Sequence, residues 1–556
     1  MNQPSYTRGR QDQALLTQTI GQAFDATVAR CADREALVVL HQGLRYTWRQ
    51  LAAQVDTHAR ALMALGVEVG DRVGIWSPNC GQWCILQLAT AKVGAILVNI
   101  NPAYRLGELE YVLRQSGCSW LVCADAFKTS DYHAMVQELV PELDTHAPGS
   151  LASERLPALR GVISLAAEPP AGLLPWTALA GRAGQVGAEA YQARQQALQF
   201  DQAVNIQYTS GTTGAPKGAT LSHYNILNNG LMVGASLGLT ELDRMVIPVP
   251  LYHCFGMVMG NLGCVTHGST MVYPSDAFDP ELTLRAVAEE RASILYGVPT
   301  MFIAMLDHPS RNGLDLSTLR SGIMAGATCP IEVMRRVIDQ LHMAEVQIAY
   351  GMTETSPVSL QTGPDDALEL RVTTVGRTQP QLETKLVDAE GRIVPRGEIG
   401  ELCTRGYSVM LGYWENPQAT ADAIDPARWM HTGDLAVMDE AGYVRIVGRN
   451  KDMIIRGGEN IYPRELEEFF YTHPAVADAQ VIGIPCSKYG EEVVAWIKLH
   501  PGHSATVEEL QGWCKARIAH YKVPRHFRFV DEFPMTVTGK VQKFRMREIS
   551  VAELAG

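Results

Sequence analysis

The sequence predicts an α/β protein of more than one domain, and three observations carry that prediction. Short apolar runs alternate with helix-length segments up to about Val372, the rhythm of parallel strands joined by crossover helices. From Val372 to Gly448 the runs become short and alternating, with glycine-containing turns between them, which suits antiparallel strands. The last stretch carries its own apolar faces and has the size of a small domain. At 556 residues the chain is too long for one hydrophobic core. The expected division is a large domain over 1–450, with an antiparallel β subdomain at 372–448, and a small C-terminal domain over 451–556.

The elements follow in order. "ALVVLHQGLRYT" predicts a hairpin turning at His41-Gln42-Gly43. Thr47, with Gln50 three positions on, predicts a capped helix whose buried stripe includes Leu51, Val55, Ala59 and Leu62. "RVGIWSP", "AILVNIN" and "WLVCA" are buried strands by length and composition, and the same alternation returns at "STMVYP", "DPELTLRAVAEERA" and "SILYGVP". "TKLVDAEGRIVPRGEIGELCTRG" and "LAVMDEAGYVRIVGR" supply the antiparallel strands. After "GRNKD" (Gly448 to Asp452), a helix opens at Pro463, where proline is favoured at the first position. Strands "AQVIGIP" and "VVAWIKLH" follow it. A second helix is capped by Thr506 and Glu509, with Leu510, Trp513, Cys514 and Ile518 on one stripe.

Composition narrows the function classes. A net charge of −12 and a pI near 5.7 come without the basic stripe that marks nucleic-acid binding. Eleven scattered cysteines form neither a disulfide framework nor a zinc motif, so reduced thiols in the cytoplasm are expected. The polar N-terminus lacks a signal-peptide core, and no run approaches the roughly 18–20 apolar residues of a membrane span.

Four motifs carry candidate chemistry. "YTSGTTGAPKG" (Tyr208 to Gly218) follows an apolar run and suits a phosphate-wrapping loop, with hydroxyls at Thr209, Ser210, Thr212 and Thr213, glycines at 211 and 214, and the charge of Lys217. It is not the common G-x-x-x-x-G-K-[ST] pattern, because Gly218 stands where a metal-binding hydroxyl would be. A Gly/Thr-rich surface turn is the competing reading. "AYGMTETSP" places Tyr350, Thr353 and Glu354 after a strand-like run, and a carboxylate there could serve Mg²⁺ or simply be solvated. Asp434 sits in "TGD", where a local turn cap is the plainer role. Arg449 lies in "GRNKD" and Lys540 in "TGK", a glycine turn where a lysine is commonly solvated.

Taken together and in this order, the motifs resemble the adenylate-forming superfamily of acyl-CoA synthetases, adenylation domains and luciferases. "LYHCFG", "IVGRNKDMIIRGGENIYPRELE" and "FPMTVTGKVQKFRMRE" are most similar to the medium-chain fatty-acyl-CoA synthetases. The mitochondrial member of that branch carries a presequence, and no Arg-rich amphipathic N-terminus matches it here. The resemblance implies a large domain of stacked α/β sheets, a small β-barrel-like subdomain and a small mobile C-terminal α/β domain. It implies ATP-dependent activation of a fatty acid through an acyl-adenylate, with pyrophosphate release and transfer to coenzyme A.

Residue by residue, the resemblance assigns Thr209, Ser210, Gly211, Thr212, Thr213, Gly214, Lys217 and Gly218 to the β- and γ-phosphates. Glu354 takes Mg²⁺, with Thr209 as a second contact. Gly326, Ala327 and Tyr350 surround the adenine, and Thr353 reaches the α-phosphate. Asp434 and Arg449 lie at the ribose. Lys540 bridges the carboxylate and α-phosphate during adenylation, alongside Glu354, Thr209 and Lys217 as catalytic groups. Lys451 is the hinge, and Gly457 and Gly458 line the route of the pantetheine arm. Tyr252, His253 and Phe255 line the acyl pocket. Histidine there, where amino-acid-activating relatives carry an aspartate, argues against an amino-acid substrate. The implied partners are a small carboxylic acid, ATP and CoA, with a homodimer as a common assembly among relatives. An aryl- or substituted-propionyl-CoA ligase is the alternative on the same fold. A carrier-protein-loading adenylation domain and a non-catalytic nucleotide- or acyl-binding homologue stand behind it.

Overall fold

The computed structural model describes residues 3–147, 149–209, 216–326, 329, 331–457, 459–486, 488–515, 517–535 and 541–554. The chain divides into two compact units, one of residues 8–384 and 404–430, the other of 1–7, 385–403 and 431–556.

The larger unit is built on two mixed sheets. One has eight strands, in the order Leu174–Pro175, Gly161–Ser164, Cys118–Cys123, Arg72–Trp76, Ile96–Ile100, Ala203–Thr209, Lys217–Ser222, Gly412–Tyr413. Its pairings are parallel up to Ala203–Thr209 and antiparallel beyond it. The other has nine strands, in the order Arg377–Thr378, Val358–Gln361, Glu345–Gly351, Ser321–Ala325, Ile294–Gly297, Arg244–Val246, Thr270–Tyr273, Glu35–Val39, Leu44–Thr47. Its centre is parallel, from Glu35–Val39 across to Glu345–Gly351.

Helices fill the space between the sheets. Gly81–Val93 is buried on every side apart from Gln82, so its sequence shows no polar face. A single core cluster joins Val73 and Leu97 of the first sheet, Leu37 and Met245 of the second, and Leu86, Leu227 and Leu262 from the helices between. The capped helix is Trp48–Ala64: Thr47 accepts from the Gln50 N–H, the Gln50 side chain returns the bond, and Leu51, Val55, Ala59 and Leu62 are fully buried.

The strands expected to form a barrel-like subdomain lie in an open five-stranded sheet. Its order is Tyr6–Arg8, Leu382–Val387, Ile399–Gly406, Met430–Met438, Val444–Arg449. The C-terminal region has a second sheet, with Val476–Cys486 antiparallel to Gly490–Leu499 along their whole length. Helices Pro463–Phe470 and Val507–Lys515 bury Leu466, Phe470, Leu510 and Cys514 with this sheet. The capping pair at Thr506 and Glu509 forms, with the Glu509 carboxylate accepting from the Thr506 N–H at 2.8 Å.

Candidate active site

The strands Ala203–Thr209 and Lys217–Ser222 pair antiparallel with Thr209 opposite Lys217, so the glycine-rich segment joins two neighbouring strand ends. Ser210, Gly211, Thr212, Thr213 and Gly214 lie outside the described residues. Thr209 is half-buried and its hydroxyl reaches the Lys217 carbonyl at 3.4 Å, while Lys217 is exposed. Gly218 is buried within its strand, and its carbonyl accepts from the Trp414 N–H at 2.7 Å. A Cβ added at Gly218 would come within 2.9 Å of Ile206 Cγ2. Tight packing is therefore one reason for glycine at that position.

Glu354 sits in a tight helical turn, Thr353–Thr355, and is only 5% exposed. Its backbone is pinned. The Met410 N–H donates to its carbonyl at 2.9 Å, Thr355 Oγ1 donates to the Pro357 carbonyl at 2.7 Å, and Ser356, at φ 71°, donates through Oγ to the Ser408 carbonyl at 2.7 Å. Its carboxylate accepts from the Tyr413 hydroxyl at 2.8 Å. Burial, and then the Glu354 charge, raise the Tyr413 phenol, so it stays protonated as the donor.

Tyr413 is the residue the sequence reasoning missed. It pairs opposite Ala219, two residues past Lys217, and its ring lies 5.1 Å from the Lys217 ammonium. One aromatic side chain thus touches both the lysine that ends the glycine-rich segment and the carboxylate of the distant motif. The only sequence signal, "GYW" after an antiparallel run, says nothing of either partner.

The other expected residues of this unit fall around strand ends. Ser321–Ala325 and Glu345–Gly351 run parallel with Ala325 opposite Ala349, so Gly326 and Tyr350 emerge side by side at their carboxyl ends. In open α/β sheets, ligands bind at those ends. Gly326 takes φ 90°, a conformation that favours glycine. Ala327 lies outside the described residues.

The Tyr252–Phe255 loop is held by buried amides. Asn79 donates to the Val249 carbonyl at 3.0 Å and accepts from the Leu251 N–H at 2.8 Å, and Asn99 donates to the Tyr252 carbonyl at 3.0 Å. His253 Nδ1 accepts from the Phe255 N–H at 3.3 Å. A wide π-type helix, Phe255–Leu262, continues from the loop, and a Cβ on Gly256 would meet the Pro250 carbonyl oxygen at 2.5 Å. The Tyr252 hydroxyl is buried without a hydrogen-bond partner among the described residues.

In the smaller unit, Asp434 lies opposite Arg449 across antiparallel strands. Arg449 Nε donates to the Asp434 carboxylate at 2.9 Å, and the Asp434 side chain is 11% exposed against 52% for the arginine. Both Gly433, at φ 70°, and Asp434 lie within the strand Met430–Met438 rather than in the turn expected from the sequence, and Thr432 Oγ1 accepts from the Asp434 N–H at 3.1 Å. Lys451 is exposed in the short turn Asn450–Asp452. Gly457, at φ 62°, donates to the Tyr489 carbonyl at 2.8 Å. Gly458 and Lys540 lie outside the described residues.

The buried Glu354 carboxylate has a phenol, not a cation, as its hydrogen-bond donor. The oxygens of such a carboxylate are hard donors of the kind Mg²⁺ takes alongside phosphate oxygens. A carboxylate facing a guanidinium is already compensated, and serves as a fixed acceptor for hydroxyl groups.

Comparisons with known proteins give the family. The AMP-binding enzyme family matches residues 24–414, and the AMP-binding enzyme C-terminal domain matches 465–540. The medium-chain acyl-CoA ligase ACSF2, mitochondrial, of Homo sapiens is 46% identical over 549 residues, covering 98% of this chain and 89% of the relative. The crystal structure of the anthranilate CoA ligase AuaEII in complex with anthranoyl-AMP superposes with TM-score 0.82 at 26% identity, over 98% of this chain and 99% of that one. ATP-bound MatB from Rhodopseudomonas palustris superposes with TM-score 0.80 at 28% identity, over 95% of this chain and 98% of that one.

Proposed function

For a chain that belongs to the AMP-binding enzyme family, we propose the function of a medium-chain fatty-acyl-CoA synthetase. It is an ATP-dependent, AMP-forming acid–thiol ligase that uses ATP, Mg²⁺ and CoA. The medium-chain preference rests on the likeness to relatives of that name. The observation that carries the catalytic reading is the buried Glu354 carboxylate held by Tyr413, next to the strand that begins with Lys217.

In the first step a carboxylate oxygen of the acid attacks the α-phosphorus of ATP, and pyrophosphate leaves. The segment from Thr209 to Gly218 holds the departing phosphates, with Lys217 as a compensating charge. Bound Mg²⁺ supplies charge neutralisation of the phosphates, and Glu354, with Thr209, is the side chain set to hold it. Thr353 steadies the α-phosphate, Gly326, Ala327 and Tyr350 border the adenine, and Asp434 with Arg449 fixes the ribose. Lys540 stabilises the charge that develops as carboxylate and phosphate meet. In the second step the CoA sulfur attacks the acyl carbonyl carbon and AMP leaves. Lys451 is the pivot between the steps, and Gly457 and Gly458 admit the pantetheine arm. Tyr252, His253 and Phe255 border the acyl chain.

A domain boundary at 450/451, a homodimer and a cytoplasmic setting belong to the same reading. None of the eleven cysteines is joined in a disulfide, in keeping with a reducing compartment. Among the described residues, no helix is long and apolar enough to cross a membrane.

The test is purified protein with ATP, Mg²⁺ and CoA, screened over straight-chain and aryl acids for AMP and thioester. AMP and thioester peaking with medium-length straight chains is the expected result, and thioester from aryl acids alone overturns the fatty-acid assignment. Lys540→Ala should lose adenylate formation by on the order of 10²–10³ while retaining thioester formation from supplied acyl-AMP. Equal loss of both steps overturns its role.

A further inference from the structure

A second cluster of polar side chains lies in the smaller unit, and none of the roles assigned above uses it. Glu401 and Cys403 stand two residues apart on the strand Ile399–Gly406, so both project from one face. His431 stands on the neighbouring strand, Met430–Met438. One donor atom from each of the three lies within 4.8 Å of the other two, and no comparable group of His, Cys, Asp or Glu occurs among the described residues.

The spacing is that of a metal's coordination sphere. With Zn–S near 2.3 Å and Zn–N near 2.0–2.1 Å, a tetrahedral site separates sulfur from nitrogen by about 3.5 Å. Cys403 Sγ lies 3.5 Å from His431 Nδ1. Glu401 Oε2 lies 2.9 Å from the same nitrogen, a hydrogen-bond distance that a small rotation of the carboxylate would open to a shared-ligand distance.

His431 Nδ1 faces both the Cys403 thiol and the Glu401 carboxylate, and the thiol also lies 3.8 Å from the Glu401 backbone carbonyl. A cation in the centre would be bound by all three atoms at once. Access is available, because Glu401 and His431 are 20% and 30% exposed at the side chain, while Cys403 is buried.

The carboxylate is also oriented from behind. Glu401 Oε1 accepts from the Gly433 N–H at 3.0 Å, the kind of outer contact that fixes a metal ligand's direction. Gly433 directly precedes Asp434 on the strand Met430–Met438, so the cluster is tied through one hydrogen bond to the residue next to the proposed ribose contact.

We propose that Glu401, Cys403 and His431 form a site for a borderline-soft divalent cation, with Zn²⁺ as the type, holding it by one sulfur, one nitrogen and one oxygen and leaving a fourth position to water. On binding, the Cys403 thiol and the His431 Nδ1 release any proton they carry to solvent, and their freed electron pairs form the bonds to the metal. The site differs in kind from the oxygen-only set at Glu354, which selects Mg²⁺.

The test is a titration of the full, metal-stripped protein with Co²⁺ alone, with neither ATP nor CoA present. The expected result is a near-ultraviolet thiolate-to-cobalt absorption that saturates near about one equivalent and is displaced by Zn²⁺. Cys403→Ser should abolish the band, and His431→Gln, which leaves the buried thiol in place, should weaken Co²⁺ binding at least about tenfold. Circular dichroism of both variants keeps the comparison among folded proteins. A wild-type protein without a saturable band overturns the proposal. An undiminished band in Cys403→Ser does the same, as does unchanged affinity in His431→Gln.

Discussion

Glu354 and Asp434 are both buried carboxylates, each anchored by a side chain on an adjacent piece of chain, and the difference between their partners sorts their chemistry. Glu354 accepts from the phenol of Tyr413, which orients the carboxylate without neutralising it. Asp434 accepts from the guanidinium of Arg449, which orients and neutralises at once. A charge left uncompensated in a buried site calls for a cation, whereas a compensated one is stable as it stands. The identity of the partner, more than the burial, tells the metal-binding candidate from the hydroxyl-binding one.

That contrast can be broken experimentally, and the largest effect should come from Glu354→Gln. It keeps the shape but removes the charge, so Mg²⁺-dependent ATP–pyrophosphate exchange should fall on the order of 10²–10³. If the exchange survives with its Mg²⁺ dependence unchanged, the carboxylate is not a metal contact. Asp434→Asn should act on nucleotide binding instead. Losing a charged acceptor costs roughly 1.5–3 kcal/mol, or about ten- to a hundredfold in KM for ATP, with kcat little altered. A fall in kcat at constant KM would show that the two carboxylates had been sorted wrongly. The pair with Arg449 adds little itself, because the guanidinium is half in water, where such pairs are worth about 0–1 kcal/mol.

Tyr413→Phe should give the smallest change and sharpens the comparison most. It removes one hydroxyl and keeps the ring beside Lys217. The Mg²⁺ concentration for half-maximal exchange should rise about fivefold, the scale of one oriented hydrogen bond of about 1 kcal/mol. An unaltered Mg²⁺ requirement would reduce Tyr413 to packing.

Much of the fold was legible because its signals are local. The Thr47–Gln50 cap, its apolar stripe and the Thr506–Glu509 pair are set by residues within one or two helical turns, and all of them form. The hairpin turning through Gly43 forms too, with that residue at φ 64°. The buried helix Gly81–Val93 was harder to read, because a helix enclosed on every side loses the polar face that periodicity detects. The π-type helix Phe255–Leu262 left no distinct pattern; in it Gly256 packs against the Pro250 backbone and Gly260 against the Ile247 side chain, partners outside the helix.

The candidate site divides along the same line. The sequence by itself determined which residue types stand in the motifs, their order and the capped helices and strands that carry them. It did so because hydroxyls, glycines and charges at short spacings are written contiguously along the chain. Only the tertiary structure decided that Tyr413 meets Glu354, 59 positions earlier, and that Cys403 meets His431, 28 positions later. Those meetings depend on strand register, Tyr413 opposite Ala219 and the strand of Glu401 and Cys403 beside that of His431. A register shift of one residue would turn each side chain to the opposite face of its sheet, and the register is settled by packing over the whole sheet rather than by the local sequence.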